Sequence, residues 1–78
     1  MDTIATQVRT ILFDFGIDIT SVTDDNTLVN DLGLDSIELV QFAQDLEEEF
    51  DIEISDNAIT AAMTVGQVVD AVKRLKGV

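Results

Sequence analysis

The stretch Asp35-Ser36-Ile37-Glu38-Leu39-Val40-Gln41-Phe42-Ala43-Gln44-Asp45-Leu46-Glu47-Glu48-Glu49-Phe50 decides how the rest of this sequence is read. At about 100° per residue, Leu39, Phe42, Ala43, Leu46 and Phe50 gather in one arc of a helix wheel. The spacing predicts an amphipathic helix from Ser36 to Phe50 with that arc facing a core. Asp35 suits the N-cap, and Glu38 three residues on completes a capping-box pattern. Ile37 points to roughly the opposite side, beside Gln41, Gln44 and Glu48, while Val40 sits on the flank near Glu47. Two apolar residues amid polar and acidic neighbours suggest a small docking patch, although a single exposed Ile or Val is ordinary.

Outward from this helix, the remaining pattern is helical as well. Ile4, Val8, Ile11, Leu12 and Phe15 share one face, so a first helix is expected over about 3–15, with Gly16 as a left-handed C-cap. A last helix is expected from Thr64, whose spacing to Gln67 forms a second capping box. It runs through Val65, Val68, Val69, Val72 and Leu75, with Lys73, Arg74 and Lys76 well placed near its negative end and Gly77 closing it. Ile52 and Ile54 alternate with Glu53 in a brief extended stretch. A short helix is expected to open at Ser55 or Asp56 and end near Ala62. Between Gly16 and Asp35 no helical period persists; Leu28, Leu32 and Leu34 are separated apolar anchors. The fold expected is all-α: a single-domain four-helix bundle over 1–78 with one short helix and a long first crossover loop.

Composition narrows the function. Seventy-eight residues lie near the lower limit for a self-sufficient core, and without cysteine no disulfide can supplement packing. The 46% hydrophobic content comes mainly from Ile, Leu, Val and Ala. Sixteen acidic against four basic residues give a net charge of −12, which repels nucleic acid and anionic membranes. Such a surface suits a partner with a basic patch, though charge also serves plain solubility. The chain has no His and no Cys, so the usual general base, thiol nucleophile, zinc ligands and Ser-His-Asp triad are all missing. An enzyme acting on its own is not expected. Asp24, Asp25, Asn26, Asn30 and Asp31 are rich in oxygen, but their spacing does not fit an EF-hand loop. Met1-Asp2-Thr3 opens without a basic n-region and no apolar run approaches a membrane span, so a cytoplasmic address, or the equivalent compartment of an organelle, is expected; the chain is also expected to be a monomer.

Ser36 opens the central helix. By position alone it reads first as a cap and second as a place where a phosphate is well received, because free N–H groups and the helix dipole favour an anion there. Glu47, Glu48 and Glu49 crowd the opposite end, where negative charge opposes the dipole at about 0.3–1 kcal/mol per residue. Local stability does not account for them; recognition by a basic partner or a merely solvated end would.

The segment Leu32-Gly33-Leu34-Asp35-Ser36-Ile37-Glu38-Leu39 closely resembles the phosphopantetheine attachment motif of acyl carrier proteins. The resemblance continues through Leu46-Glu47-Glu48-Glu49-Phe50-Asp51 and Ile54-Ser55-Asp56, with similar spacing to Thr64-Val65, and so covers nearly the whole chain. It implies a carrier of acyl groups as thioesters on a 4′-phosphopantetheine arm, transferred from coenzyme A to Ser36 by a phosphopantetheinyl transferase, with Asp35 part of the motif. The arm would bring the thiol that this chain lacks. It also implies docking to acyl-transferring or ketosynthase-type enzymes with basic patches, through Ile37, Glu38, Val40, Gln41, Gln44, Glu47 and Glu48. The cavity implied for the acyl chain is lined by Leu39, Phe42, Ala43, Leu46 and Phe50, with Ile59, Met63 and Val68. Gln41 stands where general fatty-acid carriers usually present an acid, and Gln44 where they present an apolar side chain. The segment 57–63 is also more apolar than theirs, which suggests a carrier with a restricted set of enzymes. An amino-acyl or D-alanyl carrier, or an unmodified acidic adaptor, are the competing readings.

Overall fold

Val8, Ile11 and Leu12 are buried on one side of the first helix, α1, which spans Thr3–Asp14. The structure is a computed structural model and describes residues 3–55, 58–60 and 62–77. Helix α1 stops because Gly16 turns left-handed at φ 86°. Its N–H donates to Phe13 O at 2.9 Å, and Ile17 N–H reaches back to Leu12 O at 3.4 Å. This pair of bonds is a Schellman closure, and it meets the expectation for Gly16. Helices α2 (Ser36–Phe50) and α3 (Val65–Lys76) follow, and each of the three helices packs against the other two.

The capping boxes form as read. Asp35 caps α2 with Glu38 closing the box, and Thr64 caps α3 with Gln67 closing it. Helix α2 ends on Asp51, left-handed at φ 53°, a conformation that Asp tolerates better than most residues. Helix α3 ends on Gly77 at φ 81°.

The expected four-helix bundle is found as three helices among the described residues. Of the short helix expected over 55–62, Asp56, Asn57 and Ala61 lie outside the described residues. What is described there consists of single turns: Ala58 N–H to Ser55 O at 2.9 Å and Met63 N–H to Thr60 O at 3.1 Å. These are bonds spanning three residues rather than four.

The core is apolar among the described residues, with no buried polar or charged side chain. Phe42, Leu46 and Phe50 of α2 meet Val65, Val68, Val69 and Val72 of α3 and the buried face of α1. Phe15 stands edge-on to Phe42, ring centres 6.1 Å apart and planes at 79°, a favourable aromatic geometry. The crossover from α1 to α2 contributes Val22, Leu28 and Leu34 to the same core. Leu32 packs against it from a half-buried position.

The crossover is also stitched to the beginning of α3. Val65 N–H donates to Asn26 O at 2.9 Å, Gly66 N–H to Asp24 O at 3.0 Å, and Leu28 N–H to Met63 O at 3.0 Å. Thr27 and Thr64 form an isolated antiparallel bridge. Gly66 is needed for this approach, since a Cβ there would lie 3.2 Å from both Cβ and O of Asp24. From the other side, Arg9 donates to Val22 O at 2.8 Å and to Asp24 Oδ1 at 2.9 Å. No helix among the described residues is long and apolar enough to cross a membrane.

Two predictions follow from the crossover. Leu28 is fully buried, so Leu28→Ala is expected to cost about 2–5 kcal/mol in a urea unfolding series, most of the stability of so small a domain. Asp18 is held below 3.8, first by the hydroxyl of Thr20 at 2.6 Å and then by Thr20 N–H at 3.1 Å. Its folded pKa is depressed, so its stabilising contribution is complete above the unfolded aspartate range, about 3.9, and is lost as pH falls through the lower folded value. A carboxyl-detected NMR titration should place the Asp18 midpoint below the ordinary aspartate value, and Thr20→Val, which removes the hydroxyl but keeps the N–H, should raise it part of the way back.

Candidate functional site

Helix α2 begins at a place fixed by the residues before it. Leu34 is buried at 2% exposure and anchors the chain in the core. Gly33 turns left-handed at φ 79°, where a side chain would be strained, and its N–H donates to Val29 O at 3.0 Å. Leu34 N–H donates to Leu28 O at 3.1 Å, which closes the turn. Asp35 and Ser36 are thereby set on the surface at the mouth of the helix.

The first donors of α2 divide into two sets. Glu38 N–H donates to Asp35 Oδ1 at 2.8 Å and Leu39 N–H to Asp35 O at 2.9 Å. The N–H groups of Ser36 and Ile37 have no protein acceptor among the described residues. In α3 the corresponding donors of Val65 and Gly66 are both taken by the crossover. The start of α2 therefore presents an exposed hydroxyl beside two open donors at the positive end of a 15-residue helix. Chemically, that arrangement suits an anion carried on Ser36 Oγ.

Around Ser36 the side chains of α2 fall into three strips. Ile37 is 80% exposed and Val40 59%, as the wheel predicts for residues off the core face. Gln41 and Glu48 are exposed near them, with Gln41 Nε2 donating to Asp45 Oδ1 at 3.0 Å. Glu38 is half-buried, and its Oε1 accepts from Asp35 N–H at 3.1 Å, so it serves the cap as well as the surface. Of the residues expected to line an acyl cavity, Phe42, Leu46, Phe50 and Val68 lie in the closed core. Leu39, Ala43 and Ile59 instead come together in a cleft of about 200 Å³, joined by Val40, Gln44, Glu47 and Ile54. Met63 faces a different groove, beside Ala71 and Leu75 of α3.

Sequence reasoning missed Ile54 as a cleft residue and missed the internal work of Glu47. The Glu47 carboxylate accepts from Ile54 N–H at 3.0 Å, and its carbonyl accepts from the N–H groups of Asp51 and Ile52. One residue thus fastens the chain leaving α2 against the rim of the cleft. Its neighbours Glu48 and Glu49 are exposed. Lys76 Nζ donates to Phe50 O at 3.1 Å and brings positive charge to the end of the helix that the glutamates disfavour. The alternation of Ile52 and Ile54 was the available signal for the cleft wall; nothing in the sequence pointed to the Glu47 bond.

The sequence profile of the family described as "Phosphopantetheine attachment site" matches residues 6–72. The chain is 40% identical over 68 residues to the acyl carrier protein of Clostridium acetobutylicum, covering 86% of this chain and 88% of that protein. It is 36% identical over 75 residues to the acyl carrier protein of Sinorhizobium fredii, covering 95% of this chain and 96% of that protein.

The Glu47 contact predicts a local effect. Glu47→Ala removes the acceptor of a half-buried N–H, a bond worth about 0.5–1.5 kcal/mol net. Hydrogen exchange at the Ile54 amide should speed up by roughly two- to tenfold, with the amides of α1 little changed. Unchanged protection at Ile54 would show that the bond does not hold in solution.

Proposed function

We propose that in this chain, which belongs to the acyl carrier protein family of phosphopantetheine attachment domains, the Ser36 hydroxyl holds the 4′-phosphopantetheine arm on which acyl groups ride as thioesters. The observation that carries this reading is the exposed Ser36 at the first position of α2, with the open N–H groups of Ser36 and Ile37 beside it. A phosphodiester on this oxygen stays at the surface, where two donors and the helix dipole stabilise its charge. When bound, the arm supplies a thiol, and the chain itself contains no cysteine. Asp35 holds the helix mouth in shape through its bond to Glu38 N–H rather than reacting.

Delivery follows from the same helix. Ile37 and Val40 offer apolar contact directly beside the attachment oxygen, with Glu38, Gln41, Gln44, Glu47 and Glu48 around them. With a net charge of −12, the chain favours enzymes with basic patches, the phosphopantetheinyl transferase first and acyl-processing enzymes after it. Those enzymes perform the chemistry; this chain presents the cargo. Gln41 bonded to Asp45 and Gln44 at the cleft rim support a carrier adapted to a restricted set of enzymes rather than to every step of general fatty-acid synthesis.

Incubation with coenzyme A and a phosphopantetheinyl transferase should add one phosphopantetheine to the wild-type chain by intact mass and none to Ser36→Ala. The variant should keep the wild-type circular dichroism, since Asp35 still caps the helix. An unmodified wild type, after trial with several active transferases, would refute the assignment.

A further inference from the structure

The cleft beside α2 is small and has polar groups on one wall. Its volume is about 200 Å³, close to that of seven waters at about 30 Å³ each, which accommodates a chain of roughly six to eight heavy atoms. Leu39, Ala43, Ile54 and Ile59 supply apolar walls. Below it the core is closed, with Phe42 and Leu46 at 0% exposure and Phe50 at 4%, so a longer chain has no room to continue inward without parting packed side chains.

Gln44 and Glu47 also line this cleft, three residues apart and therefore on one face of α2. The Gln44 amide has no hydrogen-bond partner among the described residues, which leaves both its donor and its acceptor available. Glu47 accepts from Ile54 N–H through Oε2, and Oε1 of the same carboxylate remains an acceptor. A plain hydrocarbon chain laid along this wall would cover polar groups without pairing them, which is costly. A chain carrying a hydroxyl would pair them: its oxygen accepts from Gln44 Nε2, and its O–H donates to Gln44 Oε1 or Glu47 Oε1. The cleft begins at Leu39, three residues and about 4.5 Å of helix rise from Ser36, so an arm attached there and folded back along α2 can bring its acyl end to the opening.

We infer that the cleft selects short acyl chains bearing a hydroxyl group, with Gln44 as the specificity-determining residue. This rests on the attachment of the arm at Ser36 and adds the class of cargo. Alkyl groups longer than about eight carbons exceed the volume of this cleft.

The test loads Ser36 enzymatically from hexanoyl-, 3-hydroxyhexanoyl- and dodecanoyl-coenzyme A, on wild type, Gln44→Leu and Gln44→Met. The readout is thioester hydrolysis relative to the same acyl group on free pantetheine, together with acyl-to-Ile59 nuclear Overhauser contacts. In wild type the 3-hydroxyhexanoyl group should be protected about two- to tenfold more than hexanoyl, the range of one net hydrogen bond. Both variants should abolish or reverse that order, and dodecanoyl should gain no protection over hexanoyl. Equal protection of the two six-carbon groups in wild type would overturn the inference, as would a preference that survives in both variants. If loading succeeds, that failure leaves the carrier assignment standing; if no acyl group can be placed on Ser36, both fall together.

Discussion

The backbone of residues 24–28 completes the first turn of α3, and the organisation of the domain depends on this exchange. The carbonyls of Asp24 and Asn26 take the N–H groups of Gly66 and Val65, while Met63 O takes that of Leu28. These bonds fix a connection that would otherwise be long and loose, and they carry Leu28 into the core with it. Once Leu28 is placed, the turn through Gly33 and Leu34 is determined, and with it the height and direction at which α2 emerges. The result is an asymmetry between two helix starts. One is closed by protein; the other keeps two donors facing outward beside a hydroxyl.

The boundaries of the helices were legible because their signals are local. Asp35 with Glu38 and Thr64 with Gln67 each lie within four residues, and Gly16 and Gly77 mark ends that need positive φ. The exposure of Ile37 and Val40 was legible for a related reason, since both lie off the arc of α2 that Leu39, Phe42, Ala43, Leu46 and Phe50 define, the arc on which its buried residues Phe42, Leu46 and Phe50 fall. The attachment motif was readable as a contiguous string, and the match over residues 6–72 agrees with it. What stayed hidden is contact between segments far apart in the chain. The stitch between 24–28 and 63–66 is made of backbone atoms, and every residue type carries those. Arg9 reaching Val22 O and Asp24 has no periodic signature either.

The cleft was partly legible. Leu39, Ala43 and Ile59 of the expected cavity residues border it while Phe42, Leu46, Phe50 and Val68 are closed in the core, and the wheel could not say which edge of the core arc would remain open. That depends on where the chain after Asp51 lies, and the bond from Ile54 N–H to Glu47 settles its course. The helix expected over 55–62 falls partly on Asp56, Asn57 and Ala61, outside the described residues; the bonds from Ala58 N–H to Ser55 O and from Met63 N–H to Thr60 O are what is described there. Gln44 and Val40, read as surface residues, also border the opening because this segment runs beside them.

Two of the four basic side chains are turned to the protein's own carbonyls, Arg9 to Val22 and Lys76 to Phe50. With sixteen acidic residues against four basic ones, a body of 29 × 28 × 19 Å carries a large negative excess. Like-charged copies keep their distance within the range of ionic screening, so crowding many of them together does not lead to clumping. Repulsion of this kind favours separate, freely diffusing molecules over aggregates.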